Sequence, residues 1–236
     1  MKRFFLTTIC ILFTLGIYAQ SLIGAWETHS ESPDGEKLRN VVIFSEGFQV
    51  STWYHAKTGK FISTNGGSWE LNGETVTETV EFDTKDPERV GSSISFDIKM
   101  TDSSLTAIGH DLSWQRVDSG TPGKLQGAWL MSGRVRDGKT QTRDLNRPRK
   151  TMKLLSGTRF QWIAYNTETK QFMGTGGGTY TTIDGKYTES IEFFSRDDSK
   201  AGLQLEFEYE LIDSKWHHQG FSSKGDPMHE IWSMRD

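Results

Sequence analysis

The stretch TETVEF at residues 77–82 returns as TESIEF at residues 188–193, and both copies alternate polar with apolar residues. A period of two is typical of a β-strand with one face in a core and the other in solvent. In each copy the glutamate at the second position, Glu78 or Glu189, falls on the apolar face. An unpaired buried carboxylate costs several kcal/mol or takes up a proton. Each glutamate therefore requires a partner inside the protein: an arginine, a histidine, hydrogen-bond donors or water.

The two copies belong to a longer internal repeat. LIGAW (22–26) returns as LQGAW (125–129), and GKFISTNGGSW (59–69) returns as KQFMGTGGGTY (170–180). Ordered agreement of this kind, at a constant offset of 111 residues from Gly59 onward, indicates a tandem duplication.

Each copy contains about eight alternating segments separated by turn signals, and neither shows a convincing amphipathic helix. LQLEFEYEL (203–211) alternates without interruption. Eight antiparallel strands suffice to close a barrel and remove exposed edges. The sequence predicts an all-β protein of two tandem antiparallel up-and-down β-barrels of about eight strands each, with a pair of open sandwiches as the alternative. The expected division is a leader at 1–19, barrel 1 at 20–118, a linker at 119–124 and barrel 2 at 125–236.

The leader, MKRFFLTTICILFTLGIYA, has the pattern of a cleaved secretory signal peptide, with a basic start and a short apolar run. An uncleaved anchor is the alternative. The mature protein is expected to be secreted or periplasmic. Cys10 is the single cysteine, so the mature chain has neither disulfide nor thiol nucleophile. The net charge of −4, more negative once the leader is removed, argues against nucleic acid or an anionic membrane as partner.

Tryptophans at the start and end of each copy carry a family resemblance. The chain resembles the lipocalins and their calycin relatives, in which a G-x-W on the first strand is covered by an arginine from near the end of the barrel. The matching residues are Gly24 and Trp26 with Arg116, and Gly127 and Trp129 with Arg235. More closely, residues 149–236 are similar to bacterial secreted lipocalin-like proteins of uncharacterised function, through an F-x-W strand, a Gly-rich hairpin, YTES and EIW. The resemblance implies barrels closed at one end by an arginine on an indole, each with a small cavity.

Polar candidates for a barrel interior are concentrated in the second copy. Ala107 and Leu112 of copy one stand where copy two has His218 and Glu230. An aromatic interior with a few polar groups is the mixture found in ligand pockets. The residues expected to face a ligand in barrel 2 are Trp162, Tyr180, Glu189, Trp216, His218 and Glu230.

Three classes of function stay open at this point. The first is a non-enzymatic binding protein with a small, largely apolar ligand in barrel 2, and the second is an interaction protein that uses loops 135–150 and 222–228. The third is an acid/base enzyme that uses Glu189 with His218 or Glu230, although the residues favour a binding protein over an enzyme. No cofactor or metal is expected, since the spacing fits no known metal motif. GTGGG at 174–178 leads into a strand, which favours a bulge over a phosphate site.

Overall fold

The computed structural model describes residues 21–121 and 123–235, so the predicted leader lies outside the described residues. Within these ranges the chain forms seventeen β-strands and two short 3₁₀ turns. The strands of the first half are β1 Gly24–Glu31, β2 Lys37–Ser45, β3 Phe48–His55, β4 Phe61–Asn72, β5 Thr75–Asp83, β6 Ser93–Met100, β7 Ser104–Ala107 and β8 Leu112–Asp118. Those of the second half are β9 Gly127–Arg136, β10 Lys139–Thr142, β11 Arg149–Leu155, β12 Arg159–Asn166, β13 Gln171–Ile183, β14 Lys186–Phe194, β15 Gln204–Ile212, β16 Lys215–Phe221 and β17 Pro227–Met234.

Both halves are closed antiparallel barrels, which confirms the predicted fold class and excludes open sandwiches. In barrel 1, β1 to β8 pair in sequence order and β8 closes on β1. Barrel 2 uses β9 and β11 to β17, and β17 closes on β9. The extra strand β10 forms a hairpin with the second half of β9 and stays outside the closed ring.

The glycine-rich strand β13 contains an irregularity in its pairing. Its register with β14 shifts between Gly177 and Gly178, as the register of β4 with β5 shifts between Gly66 and Gly67. An extra residue at such a point bends a strand and helps a sheet to curve into a barrel. A bulge is therefore present beside the glycines in both barrels, and its extra residue is on the partner strand, Glu192 of β14 or Glu81 of β5.

A third apolar core, which the sequence analysis did not anticipate, lies between the two barrels. It is built from outward-facing residues of both halves, whereas the barrel interiors have separate clusters. Tyr54 stacks on Phe193 and Phe82 packs on Tyr165, with ring centroids 4.9 Å apart in each pair. Tyr54 and Tyr165 occupy equivalent positions of the repeat, and so do Phe82 and Phe193. Each pair therefore joins a tyrosine of one barrel to a phenylalanine of the other, and the barrels meet through a pseudo-two-fold contact.

Two half-buried carboxylates, Glu192 and Glu81, lie at the polar edge of this contact. The hydroxyl of Tyr54 donates to Glu192 at 2.7 Å, and the equivalent hydroxyl of Tyr165 donates to Glu81 at 2.5 Å. Glu192 also pairs with Arg159 at 2.6 Å. Burial raises the pKa of Glu192, but Arg159, Tyr54 and Arg39 outweigh burial and hold this pKa below its ordinary value. The carboxylate is therefore charged at neutral pH.

The arginines expected to close the barrels behave differently in the two halves. The guanidinium of Arg116 lies over the indole of Trp26 with its Cζ 3.9 Å from the ring centroid, as the lipocalin resemblance implies. Arg235, in contrast, does not cover Trp129. Its Cζ lies 4.0 Å from the ring centroid of Phe48 in barrel 1, and it pairs with Glu81. The expectation for Arg235 is wrong because this side chain joins the barrels instead of closing one.

The start of the linker is anchored to barrel 2 by Asp118. Its carboxylate accepts hydrogen bonds from the hydroxyl of Ser156 and from the amides of Gly157 and Thr158, all within 3.1 Å. The β8 end of barrel 1 is thus tied to the turn between β11 and β12. In the part of the chain that the structure describes, no helix is long and apolar enough to cross a membrane.

Candidate ligand pocket in the second barrel

Barrel 2 encloses a cavity of about 370 Å³, which is within the range of small-molecule sites. One end of the barrel is filled by an aromatic floor in which Trp129 packs edge-on against Trp216. The opposite end, where β14 leads to β15 and β16 leads to β17, is lined by Arg196, Lys200 and Ser223. The cavity therefore has a closed aromatic base and a polar rim.

Glu189 points into this cavity and has a cationic partner there. Its Oε1 lies 2.7 Å from Nζ of Lys153, and the two side chains are only 6% and 5% exposed. Lys153 also lies over aromatic rings of the floor, with Nζ 5.0 Å from the ring centroids of both Tyr187 and Trp216. Coulomb attraction, a charge-assisted hydrogen bond and cation–π contacts together offset the loss of water around this pair. The ion pair fixes a polar point at the bottom of an apolar lumen.

His218 and Glu230 form a second polar group on the cavity wall. They occupy directly paired positions on β16 and β17, and His218 Nδ1 lies 3.5 Å from Glu230 Oε2. That separation is too long for a good hydrogen bond. Among the described residues, neither ring nitrogen of His218 has a hydrogen-bond partner, although the residue is 1% exposed. Unsatisfied buried polar atoms are rare in folded proteins, so the imidazole needs a partner that the described residues do not supply; the indole nitrogens of Trp216 and Trp232 and the hydroxyl of Tyr187 are unpaired in the same way.

Burial sets the protonation of this second group. The pKa of His218 lies well below its ordinary value, mainly because of burial and then because of the nearby charge of Lys153. Burial likewise raises the pKa of Glu230, against the lowering effect of Lys153. His218 is therefore a neutral imidazole at pH 7, with one nitrogen that donates and one that accepts.

Four of the six predicted site residues line the cavity together and two do not. Trp162, Glu189, His218 and Glu230 are in its wall. Tyr180 is buried outside the cavity and donates its hydroxyl to the carbonyl of Ser156 at 2.6 Å. Trp216 is fully buried in the aromatic floor. Packing within the base holds both side chains away from the cavity wall.

Lys153 is the important residue that the sequence analysis missed. It stands alone in the apolar run TMKLL at 151–155, and Val42 is its counterpart in barrel 1. A lysine at an inward position of a strand, aligned with a valine in the other repeat, could have identified the partner of Glu189. Phe194, 5.5 Å from Trp162 between ring centroids, and Met228 complete the apolar wall.

Barrel 1 has no counterpart of the Lys153–Glu189 ion pair or of the His218–Glu230 pair among its described residues. Its cavity is about 150 Å³, and Glu78 accepts a hydrogen bond from the Gln49 amide at 2.6 Å in place of a cation. Burial raises the pKa of Glu78 despite this bond and the positive charge of Arg89. The paired positions Ala107 and Leu112 stand in place of His218 and Glu230. The interior of barrel 1 is therefore smaller and less polar than that of barrel 2.

A comparison with known protein families finds a match in the second half of the chain. Residues 124–235 match the model of a domain of unknown function, DUF4488. The matched segment begins in the linker and contains all the strands of barrel 2. No curated protein matches the chain. Barrel 2 is thus similar to this domain type, and the match leaves its ligand open. Among the described residues, no cluster of three or more His, Cys, Asp or Glu side chains could hold a metal ion.

Proposed function

We propose that the protein is an extracytoplasmic, non-enzymatic binding protein that holds one small, largely apolar ligand in the lumen of barrel 2. The observation that carries this proposal is the buried His218, which faces a cavity of about 370 Å³ with both ring nitrogens unpaired among the described residues. A ligand that pairs with the imidazole removes the cost of burying it unsatisfied, which is about 1–3 kcal/mol for a neutral group.

The difference between the barrels supports the same proposal. A repeat that served only as a structural support would not need a larger cavity, an internal ion pair and a neutral imidazole in one copy alone. Barrel 1, with its smaller lumen, supports barrel 2 through the shared apolar core. The predicted leader at 1–19 supports a secreted or periplasmic location, which is part of the proposal.

The test is native mass spectrometry of the full-length protein purified from its own host, with the cavity open or blocked. Thr151 lines the cavity, so Thr151→Trp fills the lumen. Thr188 alternates with Glu189 on β14 and faces outward, so Thr188→Trp adds the same bulk without touching the lumen. The expected result is a retained small molecule, one per chain, in the wild type and in Thr188→Trp but not in Thr151→Trp. Equal retention by both variants would place the ligand elsewhere and refute the proposal.

An acid/base enzyme is the alternative that the His218–Glu230 pair favours, since a separation of 3.5 Å can tighten around a substrate. The two functions differ in what the same experiment recovers. A binding protein releases the molecule that it took up unchanged, whereas an enzyme converts it on incubation. Time-dependent conversion of the recovered ligand by the wild type, absent in Glu230→Gln, would favour the enzyme.

A further inference from the structure

The polar groups of the barrel 2 cavity define the chemistry of the ligand's buried end. A neutral His218 offers one N–H donor and one acceptor nitrogen, and the carboxyl of Glu230 lies 3.5 Å from the ring. A hydroxyl group both donates and accepts a hydrogen bond. It can therefore accept a hydrogen bond from the imidazole N–H while it donates one to the carboxyl of Glu230.

The charge of the cavity base is already balanced. Lys153 and Glu189 neutralise each other at 2.7 Å, and both side chains are almost completely buried. A carboxylate on the ligand would compete with Glu189 for Lys153, and an ammonium group would be repelled by Lys153 and would have, among the described residues, only Glu230, whose pKa burial raises, as its counter-ion. Either charge would lose its hydration with little compensation in so apolar a site.

The basic side chains at the rim each donate to a backbone carbonyl and keep their positive charge at the mouth of the cavity, away from its base. Arg196 donates to the carbonyl of Met173, and Lys200 donates to the carbonyl of Ser223 at 3.3 Å. The wall between the rim and the polar group is apolar and largely aromatic, with Trp162 and Phe194 as its largest side chains. A flat apolar body fits this wall, because aromatic faces stack on aromatic or aliphatic rings. The cavity volume of about 370 Å³ limits the size of this body.

We infer that barrel 2 selects an uncharged amphiphile small enough for this cavity, with a hydroxyl group held between His218 and Glu230 and an apolar body against Trp162 and Phe194. This inference rests on the proposed function, since it requires that the lumen binds a ligand at all. It adds the chemical class, a neutral alcohol or phenol, and the two residues that recognise it.

The experiment compares four probes that share one body and differ in the end group: 2-naphthol, 2-methylnaphthalene, 2-naphthoate and 2-naphthylmethylammonium. Dissociation constants are measured by equilibrium dialysis against the full-length mature protein. His218→Ala and Glu230→Leu introduce the residues that barrel 1 carries at equivalent positions, where they fold within the same kind of barrel. His217→Ala is the matched control, because His217 faces outward, with its Nδ1 3.1 Å from His229 Nε2.

The expected result is that the wild type and His217→Ala bind 2-naphthol at least about tenfold more tightly than each of the other probes. His218→Ala and Glu230→Leu are expected to reduce the preference over 2-methylnaphthalene to about threefold or less, because the hydroxyl loses one partner in each case. A change in cavity size affects both uncharged probes alike, so their ratio reports hydrogen bonding to the end group.

Two results would overturn the inference while they leave the proposed function in place. One is that 2-naphthoate or the ammonium probe binds most tightly. The other is that His218→Ala and Glu230→Leu both keep the full preference for 2-naphthol over 2-methylnaphthalene. Both results apply only if Thr151→Trp abolishes binding, which shows that the probes occupy the lumen. Failure of all four probes to bind to the wild type would count against the ligand class. In that case, retention of a host molecule in the mass-spectrometric test decides whether the proposed function survives.

Discussion

The buried ion pair of barrel 2 gives the sharpest prediction about stability. Lys153→Met removes the cation that lies 2.7 Å from Glu189 and leaves a carboxylate that is 6% exposed. Removal of one partner of a buried pair costs about 3–5 kcal/mol, since the remaining charge is both desolvated and unpaired. For a chain of this size that corresponds to a fall in Tm of roughly 6–20 °C.

The double variant Lys153→Met/Glu189→Leu separates the ion pair from simple packing. Replacement of both partners by apolar residues is often neutral or stabilising, so the double variant is expected to be more stable than Lys153→Met alone. The assay is urea unfolding of the full-length mature protein at pH 7, followed by tryptophan fluorescence. Lys186→Met is the control: it breaks an exposed pair with Glu208 at 2.8 Å and is expected to unfold like the wild type.

A free energy of unfolding of Lys153→Met within about 1 kcal/mol of the wild-type value would contradict the prediction. It would mean that water or another donor already satisfies Glu189. A double variant that is no more stable than Lys153→Met would also contradict the prediction. Either result would show that the two charges do not depend on each other.

Three further predictions concern the contacts between the barrels. Glu192→Gln is expected to cost about 2 kcal/mol at pH 7, because Arg159 loses its charge-assisted partner. The pKa of Glu192 is lowered in the folded protein, so its contribution to stability is present above the ordinary glutamate pKa near 4.5 and is lost as pH falls further. Urea unfolding from pH 7 to pH 3 should therefore show the free energies of unfolding of the wild type and the variant converge. Arg235→Met is expected to cost about 2 kcal/mol by removing the pair with Glu81, again measured by urea unfolding. Asp118→Ala is expected to speed hydrogen exchange at the amide of Thr158 by about tenfold or more, measured by NMR.

Each of these three predictions has its own contradicting outcome. A difference between the wild type and Glu192→Gln that stays constant down to pH 3 would mean that the carboxylate does not titrate as the arginine pair requires. A fully stable Arg235→Met would show that the pair with Glu81 adds nothing to the contact. Unchanged exchange at Thr158 would show that Asp118 does not hold the turn.

The sequence placed Glu189 and His218 in the interior of barrel 2, although it missed Lys153, because strand alternation has a fixed period. Counting by two along β14 places Glu189 and Ile191 on one face, and the structure buries both there. The same count on β16 separates His218 from His217 and places the former inside. The direction of a side chain on a regular strand follows from backbone geometry alone, so no knowledge of the partner strands is needed.

The contact between the barrels was not predicted, because alternation of polar and apolar residues identifies a strand that is buried on one face only. VVIF at 41–44 and MKLL at 152–155 are continuous runs, and a strand that is buried on both faces has this pattern. These runs could have indicated the shared core. Its partners could not be deduced, since an apolar face does not specify which surface covers it.

The same limit explains the error with Arg235. The match to the lipocalin pattern fixed the position of the arginine on the strand, but the direction of a long side chain at a strand end depends on nearby charges. Glu81 of barrel 1 lies within reach and attracts the guanidinium away from Trp129. Arg116 has no such carboxylate among its hydrogen-bond partners in the described residues, and it stays on Trp26.

The most direct test of the central claim is a crystal structure of the mature protein soaked with 2-naphthol. We expect one 2-naphthol molecule in the lumen of barrel 2, with its oxygen within hydrogen-bond distance of both His218 and Glu230 and its rings against Trp162. Density for the probe in barrel 1 or in the groove between the barrels, with the lumen of barrel 2 filled by the protein's own side chains, would contradict it.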